Sequence, residues 1–387
     1  MLFLSIRTFP VMRKNFIITA FMIVLAVVLA VSFGGDRNDT IEAEVTYFDF
    51  FPNAHLDITM EDLAGIGVDY GDDVLIVSGD QSMTAVVVKD YTGVACYEGF
   101  VIVRDDDTRM GSFNYEVTSL IQIEVGDVLT ISKVGRNPYL DKIPNYTKAI
   151  SGDPNDFPSA EVFCNFRMVD EGGVIPGLLY RSASSWSSGT RAGYADALYR
   201  ENGVESLICI DAAYEEMEAY VDAHPELYTS ELFRQHKVSC DAYKAAVHIN
   251  PEQTKLFLDT FLESEGPIGL SCKLGKDRTG MYCALLEGLA GATYVEVRSD
   301  FMESICNFCH IEEGSEEYET VAFMYVDREL YLFNHYDEIQ SIPDIDWRSI
   351  EFEEFDPEPA FTNYLIHYVG ADPETVQAVK DKLRGNP

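Results

Sequence analysis

The sequence predicts a small all-β domain followed by an α/β domain whose largely parallel central sheet is flanked by helices. Short apolar runs separated by turn residues recur between residues 43 and 144. A stretch rich in Pro, Gly, Ser and Asn occupies residues 145–159 and indicates a linker. From residue 160 to 387, short apolar strand patterns alternate with helix patterns. A chain of 387 residues is also longer than an average single domain.

Residues 1–32 differ in kind from the rest of the chain. Basic residues precede an uncharged apolar run, residues 16–33, which ends in small residues at positions typical of a cleavage site. The segment is therefore either a secretory signal peptide or an N-terminal membrane anchor. Both alternatives predict export, so we expect a protein that is secreted or anchored on the extracytoplasmic face of the membrane. Membrane contact is expected only through this segment.

The composition excludes several classes of partner and cofactor. The chain has 65 acidic and 28 basic residues and a net charge of −37, which argues against nucleic acids and anionic membrane surfaces as partners. Its eight cysteines lie mostly in apolar contexts, which favours buried free thiols over a disulfide framework. The seven histidines are scattered without the spacing of metal ligands. We expect no metal and no cofactor.

The region 43–144 is predicted to form a small β-barrel or sandwich. Gly and Asp residues between its apolar runs are typical of tight turns. No set of residues in this region suggests catalysis. The predicted strands centre on Val74–Val77, Ala85–Val88, Phe100–Val103, Leu120–Ile123 and Val128–Ile131.

The region 160–387 has helix signals at several places. Asn250-Pro251-Glu252 is an N-cap followed by a proline at the first helical position. The helix that it opens is expected to direct four apolar residues to the core. In the next predicted helix, which follows the loop 271–280, two glycines are expected to be stop signals. These residues are Leu256, Phe257, Phe261 and Leu262 for the core, and Gly288 and Gly291 for the stops.

The stretch 271–280 carries the strongest chemical signal. It lies between a short apolar run that predicts a strand and an Ala- and Leu-rich run that predicts a helix. Free N–H groups at such a loop and helix start form an anion site, and Arg278 can hold two phosphate oxygens at once. The same surroundings lower a thiol pKa from about 8.5 to about 3.5–7.5, which would make Cys272 a nucleophile. The alternative is an inert buried cysteine in an ordinary strand–helix turn.

The remaining residues of the loop are expected to bind phosphate. Thr279 is expected to hydrogen-bond the sulfur of Cys272 and help to expel it from a phosphorylated intermediate. The glycines allow tight backbone turns. The full set is Lys273, Leu274, Gly275, Lys276, Thr279 and Gly280.

The segment Cys-Lys-Leu-Gly-Lys-Asp-Arg-Thr-Gly, residues 272–280, resembles the Cys-x5-Arg-Ser/Thr signature of the cysteine-dependent protein-tyrosine phosphatases. It is most similar to the bacterial branch whose loop reads HCxxGKDRTG, although Ser271 stands where that branch usually has His. The segment 177–182 resembles the Gly-x-Leu-Tyr-Arg-Ser segment of the same branch. The resemblance covers about residues 158–387. It implies an α/β phosphatase domain that cleaves phosphomonoesters through a phosphocysteine, with phosphotyrosine as the default substrate.

Three aspartates are candidates for the general acid that protonates the leaving oxygen. The resemblance implies this role for Asp277. Asp211 ends a predicted strand, and Asp241 lies upstream, where related enzymes often carry an acid loop. Each is alternatively an N-cap or turn carboxylate. Arg181 and Arg191 are further candidates for phosphate or substrate contact, but a structural ion pair is the expected role of each.

The substrate class stays open. The expected substrate is a phosphorylated protein, peptide or inositol. Lys273 and Lys276 concentrate positive charge in an acidic chain, and the loop is also similar to that of the tumour-suppressor phosphoinositide phosphatase. A phosphoinositide or inositol-phosphate phosphatase is therefore the alternative to a protein-tyrosine phosphatase. Ser271 favours a third possibility, a phosphate-binding module with little catalysis.

Overall fold

A computed structural model describes residues 39–49, 53–104, 107–113, 117–240 and 250–386. The predicted export segment, residues 1–32, and Asp241 lie outside the described residues. Within the described ranges, no helix combines the length and the apolar character needed to cross a membrane.

The first unit is a closed barrel of seven strands in the order β1-β2-β6-β5-β4-β3-β7, counted over the described residues. Neighbouring strands pair antiparallel, except β4 and β5, which run parallel. Alternate residues such as Val74 and Ile76 are fully buried in the barrel core. The strands are β1 Thr40–Phe48, β2 Ala54–Leu56, β3 Asp72–Ser78, β4 Gln81–Val88, β5 Gly99–Arg104, β6 Asp107–Ser112 and β7 Val128–Arg136.

One predicted strand of the barrel is wrong. Instead of a strand at Leu120–Ile123, the chain has a short helix, Val117–Leu120, followed by a loop. Ile121 and Ile123 are still buried in the barrel core. A short apolar run is compatible with a strand, a helix or a buried loop, and its periodicity alone does not distinguish them.

The second unit contains a mixed five-stranded sheet in the order β11-β10-β12-β9-β8. Strands β11, β10, β12 and β9 are parallel, and the edge strand β8 is antiparallel to β9. The largely parallel sheet expected from the sequence is therefore present. Its strands are β8 Arg167–Val169, β9 Leu179–Ala183, β10 Ser206–Cys209, β11 Val238–Ser239 and β12 Ile268–Cys272.

Helices flank this sheet. Helix α8 is buried along most of its length and continues directly from the loop after β12. The α-helices of the described chain are α1 Met60–Gly65, α2 Val117–Leu120, α3 Ala160–Cys164, α4 Thr190–Glu201, α5 Tyr214–Ala223, α6 Tyr228–Arg234, α7 Pro251–Glu263, α8 Asp277–Ala290, α9 Tyr294–Cys309, α10 Glu316–Ala322, α11 Arg328–Asn334, α12 Pro357–Asn363 and α13 Pro373–Arg384. Short 3-10 turns and two π-helical segments are Leu140–Lys142, Pro154–Asp156, Phe323–Asp327, Tyr336–Asp344 and Tyr364–Val369.

Two details of the helix predictions need correction. Helix α7 begins as expected, with the Asn250 side chain accepting from Gln253 N, but Leu256 is 46% exposed rather than part of the core. Gly288 is not a stop signal, because it lies inside α8. A Cβ atom there would come within 2.3 Å of the Phe361 ring, so this glycine permits close helix packing. Gly291, with φ of 95°, is the residue that ends α8.

Buried ion pairs join the barrel to the second unit. Arg328 is completely buried, donates to Cys96 O at 2.8 Å and pairs with Glu98 at 3.0 Å. Arg348 pairs with the same glutamate at 3.1 Å and with Asp73 at 2.6 Å. Burial alone would raise the pKa of Glu98, but the two arginines outweigh it and lower the pKa, so this carboxylate stays charged.

The predicted linker, residues 145–159, packs against the second unit. The amides of Asn145 and Tyr146 donate to Glu317 Oε1 at 2.6 and 2.9 Å. Phe157 is buried and packs on Phe163, with ring centroids 5.2 Å apart. This segment is therefore a fixed connection between the two units.

Candidate active site

The loop predicted to bind phosphate lies at the carboxyl end of the central strand. Cys272 is the last residue of β12 and is only 4% exposed. Four residues, 273–276, lead from it to Asp277, the first residue of α8. The strand–loop–helix arrangement expected from the sequence is confirmed. The start of α8, where the first N–H groups have no partners within the helix, therefore follows this thiol after one short loop.

A buried arginine holds the loop from behind. The carbonyl oxygen of Gly275 accepts from Arg181 Nη2 at 3.1 Å and from Asn165 Nδ2 at 2.8 Å. Because the C=O and N–H of a trans peptide point in opposite directions, this anchor turns the N–H of Lys276 to the other face of the loop. Two donors on one carbonyl thus fix the orientation of a peptide in the centre of the loop.

Arg181 is itself held by a carboxylate. It is completely buried and forms an ion pair with Asp300, which also pairs with Arg167 at 2.7 Å. Burial alone would raise the pKa of Asp300, but the two arginines outweigh this and hold the pKa well below its usual range. The expectation of a structural ion pair for Arg181 is therefore confirmed.

Gly275 is required for a close approach between the loop and β9. Its φ is 65°, in the left-handed region. A Cβ atom at this position would come within 2.2 Å of the carbonyl carbon of Ser182. Only glycine lets the loop lie this close to the backbone of the neighbouring strand.

Arg278 and Asp211 lie together at the end of the next strand. Arg278 Nη1 donates to the carbonyl oxygen of Ile210 at 3.0 Å. The Asp211 carboxylate accepts from Ser187 Oγ and from Trp186 Nε1, the latter at 3.3 Å. Burial raises the pKa of Asp211, although the Ser187 hydroxyl and Arg278 oppose the change. A carboxyl with a raised pKa keeps its proton to higher pH, as a proton donor requires.

These contacts span the end of the strand that carries Cys272. Residues 186–187 follow β9 and residue 211 follows β10, and these two strands flank β12 in the sheet. The carboxyl ends of parallel strands are where sheets of this kind bind ligands. The sequence-predicted residues Cys272, Arg278 and Asp211 are therefore brought to one edge of the sheet.

The two lysines of the loop have different surroundings. Lys273 is exposed. Lys276 is 8% exposed, and its Nζ lies 3.2 Å from Tyr146 Oη and 3.3 Å from Asp277 Oδ1. The Asp277 side chain is 56% exposed. Lys276 therefore points into the protein, and of the two lysines only Lys273 presents its charge to solvent.

The other predicted loop residues have structural contacts. Leu274 is partly buried against the main hydrophobic core, and Gly280 packs on the Phe301 ring, 3.0 Å from the position of a Cβ atom. Thr279 is completely buried, and its hydroxyl has no hydrogen-bond partner among the described residues. An unpartnered buried hydroxyl at this place is consistent with a contact to sulfur or to a bound ligand.

Ser271, which stands where the resembling family usually has His, is completely buried. Its hydroxyl lies 3.8 Å from Cys209 Sγ. Nearby, the hydroxyls of Ser182 and Tyr199 form a hydrogen bond of 2.5 Å. Hydroxyl groups thus supply the polar contacts beneath the loop.

One described candidate residue, Arg191, does not join the site. Arg191 donates from Nε to the carbonyl oxygen of Phe163 at 2.8 Å and from Nη2 to that of Ser151, so its role is structural, as expected. Asp241 lies outside the described residues. No group of three or more His, Cys, Asp or Glu residues suitable for a metal occurs in the part of the chain that the structure describes.

The remaining cysteines are buried or partly buried thiols. Cys164, Cys209, Cys272, Cys283, Cys306 and Cys309 are free thiols among the described residues. Burial raises the pKa of Cys209 and Cys283, and that of Cys164 to about 12. These thiols stay protonated at neutral pH and are poor nucleophiles.

Sequence reasoning missed several residues that support the site, including Asp300, which pairs with Arg181. Asn165, Trp186, Ser187 and Tyr146 lie far from the loop in the chain, and no local pattern marks them as partners of the loop. Asn165 alone carries a signal, since an Asn that ends a short helix in the left-handed region is a known helix terminator.

Comparison with known proteins identifies a matching family. The model of a family described as "Tyrosine phosphatase family" matches residues 164–385. No curated protein matches the chain. A solved structure, the crystal structure of an uncharacterized conserved protein from Thermotoga maritima, matches with 22% identity and a TM-score of 0.23. The match covers 25% of this chain, and this chain spans 37% of that protein. A similarity this weak does not establish a common fold.

We predict that Gly275→Ala destroys the anion site while the fold persists. The added Cβ atom meets the backbone of Ser182, and the positive φ adds strain of about 1–3 kcal/mol. The thermal midpoint of the wild-type protein should rise with added orthovanadate, and that of the variant should not. Gly314→Ala is the matched control, since Gly314 also has a positive φ, of 75°, but open space around it. A wild-type vanadate shift in Gly275→Ala would contradict this account of the loop.

Proposed function

Since the family match covers more than half of the chain, this protein belongs to the tyrosine phosphatase family, and we propose that it is an exported phosphomonoester hydrolase that acts through a phosphocysteine intermediate. The observation that carries the proposal is the position of Cys272, at the end of β12, beside the start of α8 and six residues before Arg278. A thiol in such a loop faces the place where an anion would bind.

The first half of the proposed reaction transfers the phosphoryl group to the enzyme. Loop N–H groups and Arg278 hold the phosphate oxygens. The sulfur of Cys272 attacks phosphorus, an S–P bond forms, and the bond from phosphorus to the leaving oxygen breaks. A general acid protonates that oxygen, so the product leaves as an alcohol or phenol. Arg278 donates from Nη1 to Ile210 O, its one hydrogen bond among the described residues, and we propose that its other donors bind phosphate.

The second half regenerates the enzyme. A water molecule attacks phosphorus, the S–P bond breaks, and inorganic phosphate leaves. The carboxylate that gave up its proton in the first half now accepts one from the water. The buried hydroxyl of Thr279 is placed in the first turn of α8, and we propose that it hydrogen-bonds the departing sulfur. The reaction as written uses no metal and no cofactor.

Two carboxylates compete for the role of general acid. Asp277 is the first choice, because it begins α8 and lies within the loop motif. Asp211 is the second, because it is held beside Arg278 and burial raises its pKa. The third candidate from the sequence, Asp241, lies outside the described residues.

Phosphotyrosine in a protein or peptide is the proposed substrate class, with a phosphoinositide or inositol phosphate as the alternative. The buried position of Lys276 weakens the alternative, because this lysine is engaged by Tyr146 and Asp277. The exposed Lys273 favours it. Export through residues 1–32, and secretion or anchoring outside the cytoplasm, remain part of the proposal.

We predict that Cys272→Ser abolishes turnover of 4-nitrophenyl phosphate but keeps binding of orthovanadate. The serine hydroxyl is a far weaker nucleophile, whereas the anion is held by backbone N–H groups and Arg278. Cys306→Ser is the control, since Cys306 is a partly buried cysteine in α9. Activity should also survive EDTA. Substantial turnover by Cys272→Ser would exclude the covalent mechanism, and no turnover by the wild-type protein would favour a phosphate-binding module.

We predict that Asp277→Asn lowers kcat by about a hundredfold or more for aryl phosphates with poor leaving groups, and much less for those with good ones. A good leaving group departs without a proton, so loss of the general acid affects it little. Steady-state kinetics with phenyl, 4-nitrophenyl and 2,4-dinitrophenyl phosphate measure this dependence. If Asp211→Asn shows the dependence and Asp277→Asn does not, the role belongs to Asp211.

We predict that Lys273→Ala separates the two substrate classes. If the substrate carries several phosphates, loss of this charge should lower kcat/KM on an inositol polyphosphate by about ten- to a hundredfold, with little effect on a phosphotyrosine peptide. Lys89→Ala, which removes an exposed lysine from the barrel, is the control. Equal losses on both substrates would eliminate the inositol alternative.

A further inference from the structure

Lys276 makes contacts that phosphate binding does not explain. Its side chain turns from the loop into a buried site, where Nζ lies 3.2 Å from Tyr146 Oη and 5.0 Å from the centre of the Tyr146 ring. The same Nζ lies 3.3 Å from Asp277 Oδ1. One ammonium group thus connects a tyrosine from the segment 145–159 to the candidate general acid.

Lys276 carries a positive charge at this site. Burial lowers its pKa, but Asp277, Cys309 and Tyr325 together outweigh burial, and the pKa is raised overall. A buried ammonium group needs partners for its N–H donors and its charge. Tyr146 supplies both, a hydroxyl acceptor and a ring face for a cation–π contact. Tyr325 and Cys309 are the other titratable groups that act on it.

Tyr146 is held in one position. It is 4% exposed, its amide donates to Glu317 Oε1 at 2.9 Å, and its ring packs on Tyr325 with centroids 4.9 Å apart. Burial raises the pKa of its hydroxyl well above the usual range, so the group is neutral at physiological pH and can accept from Lys276. The position of the lysine is therefore set from outside the family-matched region 164–385.

Asp277 needs such an anchor. Its side chain is 56% exposed at the first position of α8, where a carboxylate is free to take several rotamers. Proton transfer requires the carboxyl within hydrogen-bond distance of the leaving oxygen. A cation fixed on one side restricts the carboxylate to the rotamers that keep the 3.3 Å contact.

On the basis of the proposed phosphatase activity, we propose that Tyr146 is a positioning residue for catalysis. It holds Lys276, and through Lys276 it orients Asp277 toward the leaving oxygen. The segment that joins the barrel to the α/β unit would then take part in the reaction of the site as well as connecting the two units.

The test is the leaving-group dependence of Tyr146→Phe in the full-length protein. This variant keeps the ring and its packing but removes the hydroxyl acceptor. We expect kcat on phenyl phosphate to fall by about three- to tenfold, with an unchanged KM and little change on 2,4-dinitrophenyl phosphate. Lys276→Met should give the same pattern with a larger loss, and Asp277→Asn the largest.

Tyr228→Phe is the matched control. It removes a tyrosine hydroxyl that bonds a backbone carbonyl, Val204 O at 2.6 Å, in the same unit but not at the loop. It should leave the leaving-group dependence of the wild-type protein unchanged. A merely structural role for Tyr146 would lower the thermal midpoint, or reduce activity equally on all three esters.

Three outcomes would overturn the inference, and they are distinguishable. An equal loss, or no loss, across the esters for both Tyr146→Phe and Lys276→Met would overturn it while the phosphatase proposal stands. The inference is also overturned, while the phosphatase proposal stands, if Asp211→Asn and not Asp277→Asn shows the leaving-group dependence. If the wild-type protein turns over no ester above the Cys272→Ser background, the proposed function fails and the inference fails with it.

Discussion

The buried ion pair of Arg181 with Asp300 is the interaction on which the candidate site depends. It places a cation behind the loop, where the cation binds the carbonyl of Gly275 and so orients a central peptide of the loop. Removing one member of a buried pair leaves an uncompensated charge, which is typically destabilising by about 3–5 kcal/mol. The loop therefore has its geometry before any anion arrives. In a preorganised site of this kind, ligand binding does not have to order the backbone, so no binding free energy is lost in that step.

The edge of the sheet adds a second level of organisation. The ends of three neighbouring parallel strands, with the residues just after them, meet there: one carries Cys272, one carries Asp211, and one carries the donors that hold Asp211. Each strand end contributes a different chemical group, namely a thiol, a carboxyl group and hydrogen-bond donors. The α/β unit is thus arranged so that residues far apart in the chain converge at the carboxyl ends of the strands, as sheets with parallel strands commonly allow.

Local features of the site could be predicted from the sequence, whereas distant ones could not. The strand, loop and helix around Cys272 are encoded in consecutive residues, so their pattern was readable. Asn165 and Tyr146 reach the loop from 110 and 130 residues away, and nothing in their own neighbourhoods indicates where they dock. Two predictions were wrong for a related reason, namely a strand at residues 120–123 and the burial of Leu256. Apolar residues indicate that burial is favourable, but tertiary packing determines which of them are buried and which backbone conformation they adopt.

The buried charges between the barrel and the α/β unit affect how the chain can be divided. The family match begins at residue 164, yet Arg328 and Lys276, both inside the matched region, find their partners at Glu98 and Tyr146, both before it. A fragment cut at the homology boundary would keep the fully buried Arg328 and remove the carboxylate that neutralises it. In this protein, the residues shared with the family are therefore fewer than the residues needed for a stable fold. Its natural unit for expression and dissection includes the barrel.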